Sequence, residues 1–192
     1  MLTLLRPALA LTLALSLLTG LAYPLALTGL AQTLLPGPAD GSLIRRGDQM
    51  VGSALVAQDF TGPAWLHPRA SASGYGTTPS GASNLGPTSA ALAEAGAARR
   101  AAWAADSDAP APADALTASG SGLDPHVSPE NALGQAARIA TARGLPVETV
   151  RAMIAGLTEP AWLGLYGEAR VNVLRFNLAL DEAAPVPPSA GN

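Results

Sequence analysis

The sequence predicts an α+β domain that is anchored by a single N-terminal transmembrane helix. A long apolar stretch indicates the anchor, because no charged residue occurs from Pro7 to Ala39. Behind it, two helical patterns bounded by Ser, Pro and Gly and two segments with β-branched residues indicate a mixed domain. The 192 residues are enough for one such domain, and they contain no internal repeat.

The apolar stretch is long enough to cross a bilayer, whose core needs about 20 apolar residues of helix. We expect the transmembrane helix at residues 8–30, with a kink or its end near Pro24, since proline leaves a backbone carbonyl without its donor. A cleaved signal peptide is the alternative, but its apolar region is only about 7–15 residues long. Residues 1–7, which include Arg6, are expected to be a short cytoplasmic tail. The chain is then a single-pass protein of the cell (inner) membrane, with its soluble domain at residues 40–181 outside the cytoplasm.

One side of the predicted helix is lined by small residues. Every fourth residue from Ala8 to Thr28 is small or weakly polar, whereas Leu occupies most other positions. Such a ridge lets a second helix approach closely in lipid, although Ala, Gly and Thr are common in any transmembrane helix. The residues predicted to face a partner helix are Ala8, Thr12, Ser16 and Gly20.

The first part of the soluble domain contains one strand pattern and one helix pattern. Residues 53–60 predict a strand. An Ala-rich helix is expected from Ala90 to Ala105, with Thr88 or Ser89 as its cap. The Pro/Ala-rich residues 106–114 are expected to be a mobile linker.

The second part predicts two consecutive helices with clear boundaries. Ser128 and Pro129 are suited to begin the first helix, and Gly144 is suited to end it. Pro146 begins the second, which stops near Gly156. A helical hairpin is therefore expected here.

The C-terminal region predicts a strand followed by a tail. Residues 171–180 alternate between two faces, of which the one carrying Leu174, Phe176 and Leu178 is expected to be buried. Residues 182–192 are expected to be a flexible tail.

The composition excludes several kinds of site. All eleven cationic side chains are Arg and they are scattered, so no basic stripe suits a nucleic-acid backbone. A phosphate loop of the G-x-x-x-x-G-K-[ST] type needs a lysine, which the chain lacks. Two His and no Cys are too few for a typical structural zinc site. We therefore expect neither a nucleic-acid partner nor a bound metal.

The segment TASGSGLDPHVSP, residues 117–129, concentrates chemically active residue types. One hypothesis is a hydrolase, with Ser119 or Ser121 as nucleophile and His126 as base, although no G-x-S-x-G elbow surrounds these serines. The other is a rigid turn, in which glycines adopt angles closed to other residues and Asp124 bonds the backbone ahead of it. Such a turn serves either the fold alone or contact with a partner.

Motifs along nearly the whole chain resemble one family. LRPAL and TGLAYPL, then VGSAL, SGASNLGP, LTASGSGLDPH, QAARIATARGL and GEARVNVLRFNLALD, occur in the order found in the C subunit of the bacterial Kdp potassium-transporting ATPase. The combination of SNLGP, TASGSGLDPH and RVNVL is specific for that family. From these motifs the chain is identified as a member of it.

The resemblance implies a non-catalytic accessory subunit of an ATP-driven, high-affinity potassium uptake complex. It implies two partners, a channel-like potassium-translocating subunit and an ATP-hydrolysing P-type subunit. It further implies a role in assembly and as a catalytic chaperone that raises the affinity of the P-type subunit for ATP. No cofactor is expected to be bound firmly, and ATP would act through the complex. The alternatives are the membrane-anchored hydrolase and an extracytoplasmic scaffold unrelated to transport.

Two loops of the soluble domain are predicted to contact partner domains. The first is the SNLGP loop and the second is the serine-containing segment. The predicted contact residues are Ser83, Asn84, Ser119, Ser121, Asp124 and His126.

Overall fold

The computed structural model describes residues 2–186. The chain divides into two compact units, and the division falls between Val51 and Gly52. The first unit is mainly helical. Its elements are α1 (Leu2–Leu17), a π-helical turn (Leu18–Ala22), α2 (Tyr23–Leu34), α3 (Pro36–Ala39) and β1 (Leu43–Arg46), and β1 pairs with β2 (Gln49–Ser53), which runs across the division.

The first unit contains the one helix among the described residues that is long and apolar enough to cross a membrane. It runs from Thr3 to Leu34, and none of the residues in its apolar window is buried by the chain itself. The helix is longer at both ends than the predicted residues 8–30. It continues past Pro24, which lies in the first turn of α2.

A π-helical turn takes the place of the expected kink or end. The amide of Tyr23 donates to the carbonyl of Leu18, five residues back, instead of to the carbonyl four residues back. The next residue, Pro24, has no amide hydrogen to donate. A wider turn directly before a proline lets the helix continue while its hydrogen bonds change register.

The described part of the second unit, residues 52–186, combines five helices with a small antiparallel sheet. Its elements are α4 (Ala90–Asp106), α5 (Ala113–Leu116), β3 (His126–Val127), α6 (Pro129–Arg143), α7 (Val147–Leu157), β4 (Thr158–Glu159), β5 (Arg170–Asn172) and α8 (Val173–Ala183). Strand β5 lies in the centre of the sheet, between β3 and β4. The predicted class, an α+β domain with one N-terminal apolar helix, is confirmed.

The core of this unit lies between α6, α7, α8 and the sheet. Its largest fully buried apolar side chains are Leu66, Ile139, Val150, Ile154, Val171, Val173, Phe176 and Leu180. Each such side chain contributes about 1.5–3 kcal/mol when it leaves water. The core therefore fixes the sheet and the helical hairpin relative to each other.

The predicted helical hairpin is confirmed, with the boundaries that the sequence indicates. The hydroxyl of Ser128 accepts the amide hydrogen of Asn131, which caps α6, and Pro129 occupies the first turn. Gly144 ends α6 with a positive φ of 66°, the left-handed conformation that glycine adopts without steric cost. Pro146 precedes α7.

The predicted strand over residues 171–180 is wrong beyond its first residues. Asn172 ends β5 and caps α8, because its side-chain oxygen accepts the amide hydrogen of Arg175. Val173, Phe176 and Leu180 are then buried at spacings of three and four, which is the helical period. The β-branched residues at the start of the segment favour a strand and so obscure the helical spacing in the sequence.

The predicted strand over residues 53–60 is also wrong. Strand β2 ends at Ser53, whose hydroxyl accepts the amide hydrogen of Leu55 and closes a turn. The chain then continues without regular structure, while Ala54 and Ala57 are buried.

The Ala-rich helix is confirmed as α4. Ser89 precedes it, but its hydroxyl makes no capping hydrogen bond. Residues 106–114 follow, and within them the carbonyl of Ala109 accepts the indole hydrogen of Trp103 at 2.8 Å. The mobility of this linker stays a prediction. The predicted tail begins inside α8, which includes Glu182, and residues 187–192 lie outside the described part of the chain.

Candidate functional site

The serine turn, residues 117–126, packs against a facing loop, residues 67–81. Gly122 marks the closest approach, because a Cβ on it would lie 2.7 Å from the Ser73 hydroxyl and 2.9 Å from the carbonyl of Gly81. Its φ of +73° is also in the region that favours glycine. The SNLGP loop begins at Ser83, two positions after Gly81, so the chain enters that loop from its contact with the serine turn.

The two serine hydroxyl groups of the turn bond within the turn itself. Ser119 is only 2% exposed. Its amide donates to the carbonyl of Ala70 at 2.8 Å, and its hydroxyl accepts from the amide of Asp124 at 3.2 Å. The Ser121 hydroxyl lies 3.2 Å from that of Ser119 and accepts from the amide of Leu123. These bonds make the turn rigid, and they enclose Ser119 while Ser121 stays exposed.

Arg69 joins the facing loop to the serine turn. One of its terminal nitrogens lies 3.0 Å from a carboxylate oxygen of Asp124, and the other donates to the Thr117 hydroxyl and to the carbonyl of Ala118. The Tyr75 hydroxyl in turn donates to the carbonyl of Arg69 at 2.9 Å. A planar guanidinium suits this arrangement, because its donors point in several fixed directions.

His126 is not placed as the base of a serine nucleophile. Its amide donates to Asp124, its Nδ1 lies 3.8 Å from the same carboxylate oxygen, and its Nε2 lies 3.4 Å from the side-chain nitrogen of Asn172. Within residues 2–186, neither Ser119 nor Ser121 makes a hydrogen bond with this ring. The geometry of the turn therefore gives no support to the hydrolase hypothesis.

Both histidines of the chain have lowered pKa values. For His126 the largest cause is burial, followed by the positive charge of Arg170, while Asp124 opposes the shift. For His67 burial is again first and Arg138 second. The lowered pKa leaves His126 uncharged at neutral pH, so its contact with Asp124 is then no ion pair.

The two histidines predict a loss of stability on mild acidification. Unfolded histidine has a pKa near 6.5, so the unfolded chain binds more protons than the folded one between that value and the lowered folded values. The stabilisation is complete above about pH 6.5 and is lost as the pH falls toward the folded pKa values. Guanidinium titrations of the chain in detergent at pH 7.5 and pH 5.5 measure it. The double variant His67→Gln/His126→Gln is expected to show a smaller difference, and an equal difference would contradict the assignment.

Asp114 organises the start of α6 behind the serine turn. Its carboxylate accepts the amide hydrogen of Ser128 at 2.8 Å and the hydroxyl hydrogen of Ser128 at 3.0 Å. It also accepts from the side-chain amide of Asn131 at 3.0 Å. A carboxylate at the first turn of a helix also interacts favourably with the helix dipole. The turn and α6 are thus held as one structure.

A cleft of about 200 Å³ lies between α4, α6 and the facing loop. Its lining includes His67, Arg69, Arg99, Trp103 and Arg138. Most of their donors already hold the fold: Arg99 donates to the carbonyl of Leu116, and Arg138 to the carbonyls of Pro63 and Trp65. These arginines therefore connect neighbouring segments of the fold by hydrogen bonds.

The remaining predicted site residues lie apart from this cluster. Ser83 and Asn84 lie in an exposed loop, where the Asn84 side chain donates to the carbonyl of Ala82. The four predicted transmembrane contact residues lie on the apolar helix and are exposed along its length; they are Ala8, Thr12, Ser16 and Gly20. Their contacts with partners stay predictions.

The residues that hold the serine turn in place were not singled out from the sequence. Arg69 reaches Asp124 across 55 positions, and Asn172 reaches the carbonyl of Ala54 across 118. No local pattern connects such distant residues. Asp114 likewise lies 14 positions ahead of Ser128, outside the cap and first turn in which an acidic residue signals a helix start.

The close approach at Gly122 predicts contrasting effects of two glycine substitutions in the same turn. Gly122→Ala is expected to lower the free energy of unfolding by about 1–3 kcal/mol, because the new methyl group meets backbone and φ is unfavourable. Gly120→Ala is the matched control, since no other part of the described chain lies within 4 Å of its Cβ position. Chemical denaturation in detergent measures both. Equal unfolding midpoints for the two variants would contradict the geometry.

Comparison with known proteins identifies the family. The model of the family described as "KdpC: K+-transporting ATPase, c chain" matches residues 5–182. The Potassium-transporting ATPase KdpC subunit of Cereibacter sphaeroides is 63% identical over 183 residues, which are 95% of this chain and 99% of that protein. The proteins of the same name from Rhodospirillum rubrum and Nitratidesulfovibrio vulgaris are 56% and 52% identical, over 97% and 96% of this chain and 99% and 96% of their own lengths. Because these matches extend along nearly the whole chain, it belongs to the KdpC family, the c chains of K+-transporting ATPases.

Proposed function

We propose that the chain is a non-catalytic accessory subunit that is needed to assemble a potassium-transporting P-type ATPase. Its partners are a channel-like potassium-translocating subunit and an ATP-hydrolysing subunit. The observation that carries the proposal is the family match over residues 5–182, together with relatives named as subunits of a potassium-transporting ATPase. A helix suited to cross the membrane agrees with assembly in the bilayer.

The geometry of the serine turn supports a contact role rather than catalysis. The hydroxyls of Ser119 and Ser121 are bonded within the turn, and Arg69 fixes the carboxylate of Asp124. A surface of fixed shape loses little conformational entropy on binding, which favours affinity. Ser121 and the neighbouring SNLGP loop supply the exposed part of this surface.

We place the N-terminus in the cytoplasm and the soluble domain outside it. Arg6 lies in the first turns of the apolar helix, at its N-terminal end, and positive residues favour the cytoplasmic side. A domain outside the membrane cannot touch a nucleotide that is bound in the cytoplasm. The proposed chaperone effect on ATP affinity is then a coupling between distant sites, of about 1–3 kcal/mol.

The hydrogen bonds of the arginine-lined cleft agree with this indirect effect. Its arginines Arg99 and Arg138 already donate to backbone carbonyl groups of the fold. Photolabelling with an azido-ATP in the complex tests the point. Labelling of this subunit that ATP competes away would overturn the indirect effect.

Purification of the chain from its native membrane in mild detergent tests the proposed function. When the chain is purified through a C-terminal tag, we expect two larger subunits and potassium-stimulated ATPase activity to co-purify with it. The affinity of the ATP-hydrolysing subunit for ATP, measured without this chain, should be about 5- to 150-fold lower than in the complex, which corresponds to the coupling range. A chain that elutes alone and inactive while its partners are expressed would contradict the proposal.

The small-residue ridge of the transmembrane helix predicts a position-dependent effect on assembly. Gly20→Leu is expected to reduce co-purification of the larger subunits several-fold, because a side chain replaces the space that lets helices approach. Apart from the backbone of the helix itself, no atom of residues 2–186 lies within 4 Å of the Gly20 Cβ position, so the larger side chain meets no other part of the described chain. Leu17→Phe, which enlarges a residue off the ridge, is the control. Equal yields of the larger subunits for the two variants would contradict a contact between this ridge and a partner helix.

A further inference from the structure

The connection between β4 and β5 ends in a small hairpin that we call the apolar tip, residues 161–167. At its base, Glu159 pairs with Arg170 in the sheet. Further out, Trp162 and Tyr166 form a second bridge, in which each amide donates to the carbonyl of the other at 2.9 Å and 3.0 Å. The tip is therefore closed by an isolated backbone bridge of its own, beyond the pairing of β4 with β5.

The tip exposes four large apolar side chains. Trp162 is 68% exposed, Leu163 71%, Leu165 81% and Tyr166 65%. The rings of Trp162 and Tyr166 are 5.7 Å apart and tilted against each other, so they present one continuous surface. Contiguous exposed apolar patches on soluble domains mark interaction sites, and Trp and Tyr are enriched among the residues that dominate binding energy.

The turn itself does not need this bulk. Leu163 has a positive φ of 52° and Gly164 follows with 69°. Glycine or asparagine forms such a turn at lower steric cost than leucine. Leu163 therefore sits in an unfavourable conformation, and most of its side chain gains no burial from the rest of the chain.

The charges around the tip favour a protein over a lipid surface. No charged residue occurs within the tip itself. At its base Glu159 pairs with both Arg170 and Arg175, and the nearest following charge is the exposed Glu168. Segments that lie on membranes usually combine their apolar face with an excess of Lys or Arg for anionic lipids. This balanced cluster offers no such excess.

We propose that the apolar tip inserts into an apolar pocket on another protein subunit of the ATPase. The inference rests on the proposed function, because membership in the complex is what supplies a protein neighbour. Trp162 and Leu165 are the main anchors, and the backbone bridge beneath them fixes their direction.

Site-specific photo-crosslinking in the assembled complex tests the docking. A benzophenone amino acid replaces Leu165 in the full chain, which is expressed with its partners and purified through a C-terminal tag. The control carries the same probe at Glu148, an exposed position on α7. We expect an adduct with another subunit at Leu165, in several-fold higher yield than at Glu148.

Other outcomes separate the two proposals. Adducts only with lipid, only with a second copy of this chain, or with nothing, in a complex that still co-purifies, would overturn the docking and leave the proposed function standing. A chain that no longer has partners to co-purify would overturn both. As a second measurement, Leu165→Asp is expected to reduce co-purification several-fold while the guanidinium midpoint stays unchanged, because this side chain is 81% exposed. Unchanged co-purification of the other subunits would contradict the proposed docking of the apolar tip.

Discussion

Replacement of Asn177 by leucine is expected to lower the free energy of unfolding of the soluble domain by about 2–6 kcal/mol. Asn177 is 1% exposed. Its side-chain oxygen accepts the amide hydrogen of Leu66, and its side-chain nitrogen donates to the carbonyl of the same residue, both at 2.9 Å. Leu66 is fully buried, so leucine at position 177 leaves two backbone groups without a partner. Guanidinium denaturation, followed by tryptophan fluorescence, measures the loss.

A second variant distinguishes lost hydrogen bonds from general disruption. In Asn177→Asp the carboxylate keeps the acceptor for the Leu66 amide but cannot donate to the Leu66 carbonyl, and a buried charge is added. Protonation restores the donor. The loss relative to the parent chain should therefore be smaller at pH 4 than at pH 7, and a loss that does not depend on pH would contradict this pair of bonds.

Gly134→Ala is expected to destabilise the contact between α4 and α6 by about 1–3 kcal/mol. The Cβ position of Gly134 lies 2.2 Å from the Trp103 ring, so the indole must move away. Its hydrogen bond to the carbonyl of Ala109 then breaks or shifts. Hydrogen exchange of the α4 amides should become faster, and the denaturation midpoint should fall.

The matched control is a glycine in the neighbouring helix. In the part of the chain that the structure describes, nothing beyond the backbone of α7 lies within 4 Å of the Cβ position of Gly156, and alanine is the better helix former by about 1 kcal/mol. Gly156→Ala is therefore expected to stabilise the domain, so the two substitutions should have opposite signs. A stabilising effect of Gly134→Ala would show that Trp103 does not pack on this glycine.

Local signals account for the parts of the fold that could be predicted. The boundaries of α6 and α7 follow from a capping serine and prolines at the helix starts, together with Gly144 at the end of α6, and each of these acts through its own backbone. The apolar helix follows from length and composition alone. Such features need no knowledge of distant residues.

The mistaken strands show where local signals compete. In VNVLRFNLAL the β-branched residues favour a strand, but burial of Phe176 and Leu180 against α6 and α7 makes the helical spacing decisive. At residues 53–60 the turn closed by Ser53 ends the strand early. Tertiary contacts override propensity in the first case, and a side-chain hydrogen bond does so in the second.

The sequence predicts only the local part of the candidate site. The serine turn stands out because glycines, serines and Asp124 cluster within ten positions of sequence (residues 117–126). Its partner Arg69 is a single arginine in a loop, and only the fold brings it to that carboxylate. The apolar tip was overlooked because short runs of Trp, Leu and Tyr resemble buried strand sequence, and only its exposure distinguishes it.

The π turn before Pro24 changes which direction the small residues of the membrane helix face. In an unbroken α-helix each step of four residues overshoots a full turn by about 40°, so five steps from Ala8 place Thr28 about 200° away, on the opposite side. The turn at Leu18–Ala22 takes up one additional residue, which sets the second half back by about 100°. Thr28 then lies roughly 100° from Ala8. A neighbouring helix that packs along the small residues of α1 consequently stays closer to the small residues of α2. Without the π turn it would face leucine side chains there.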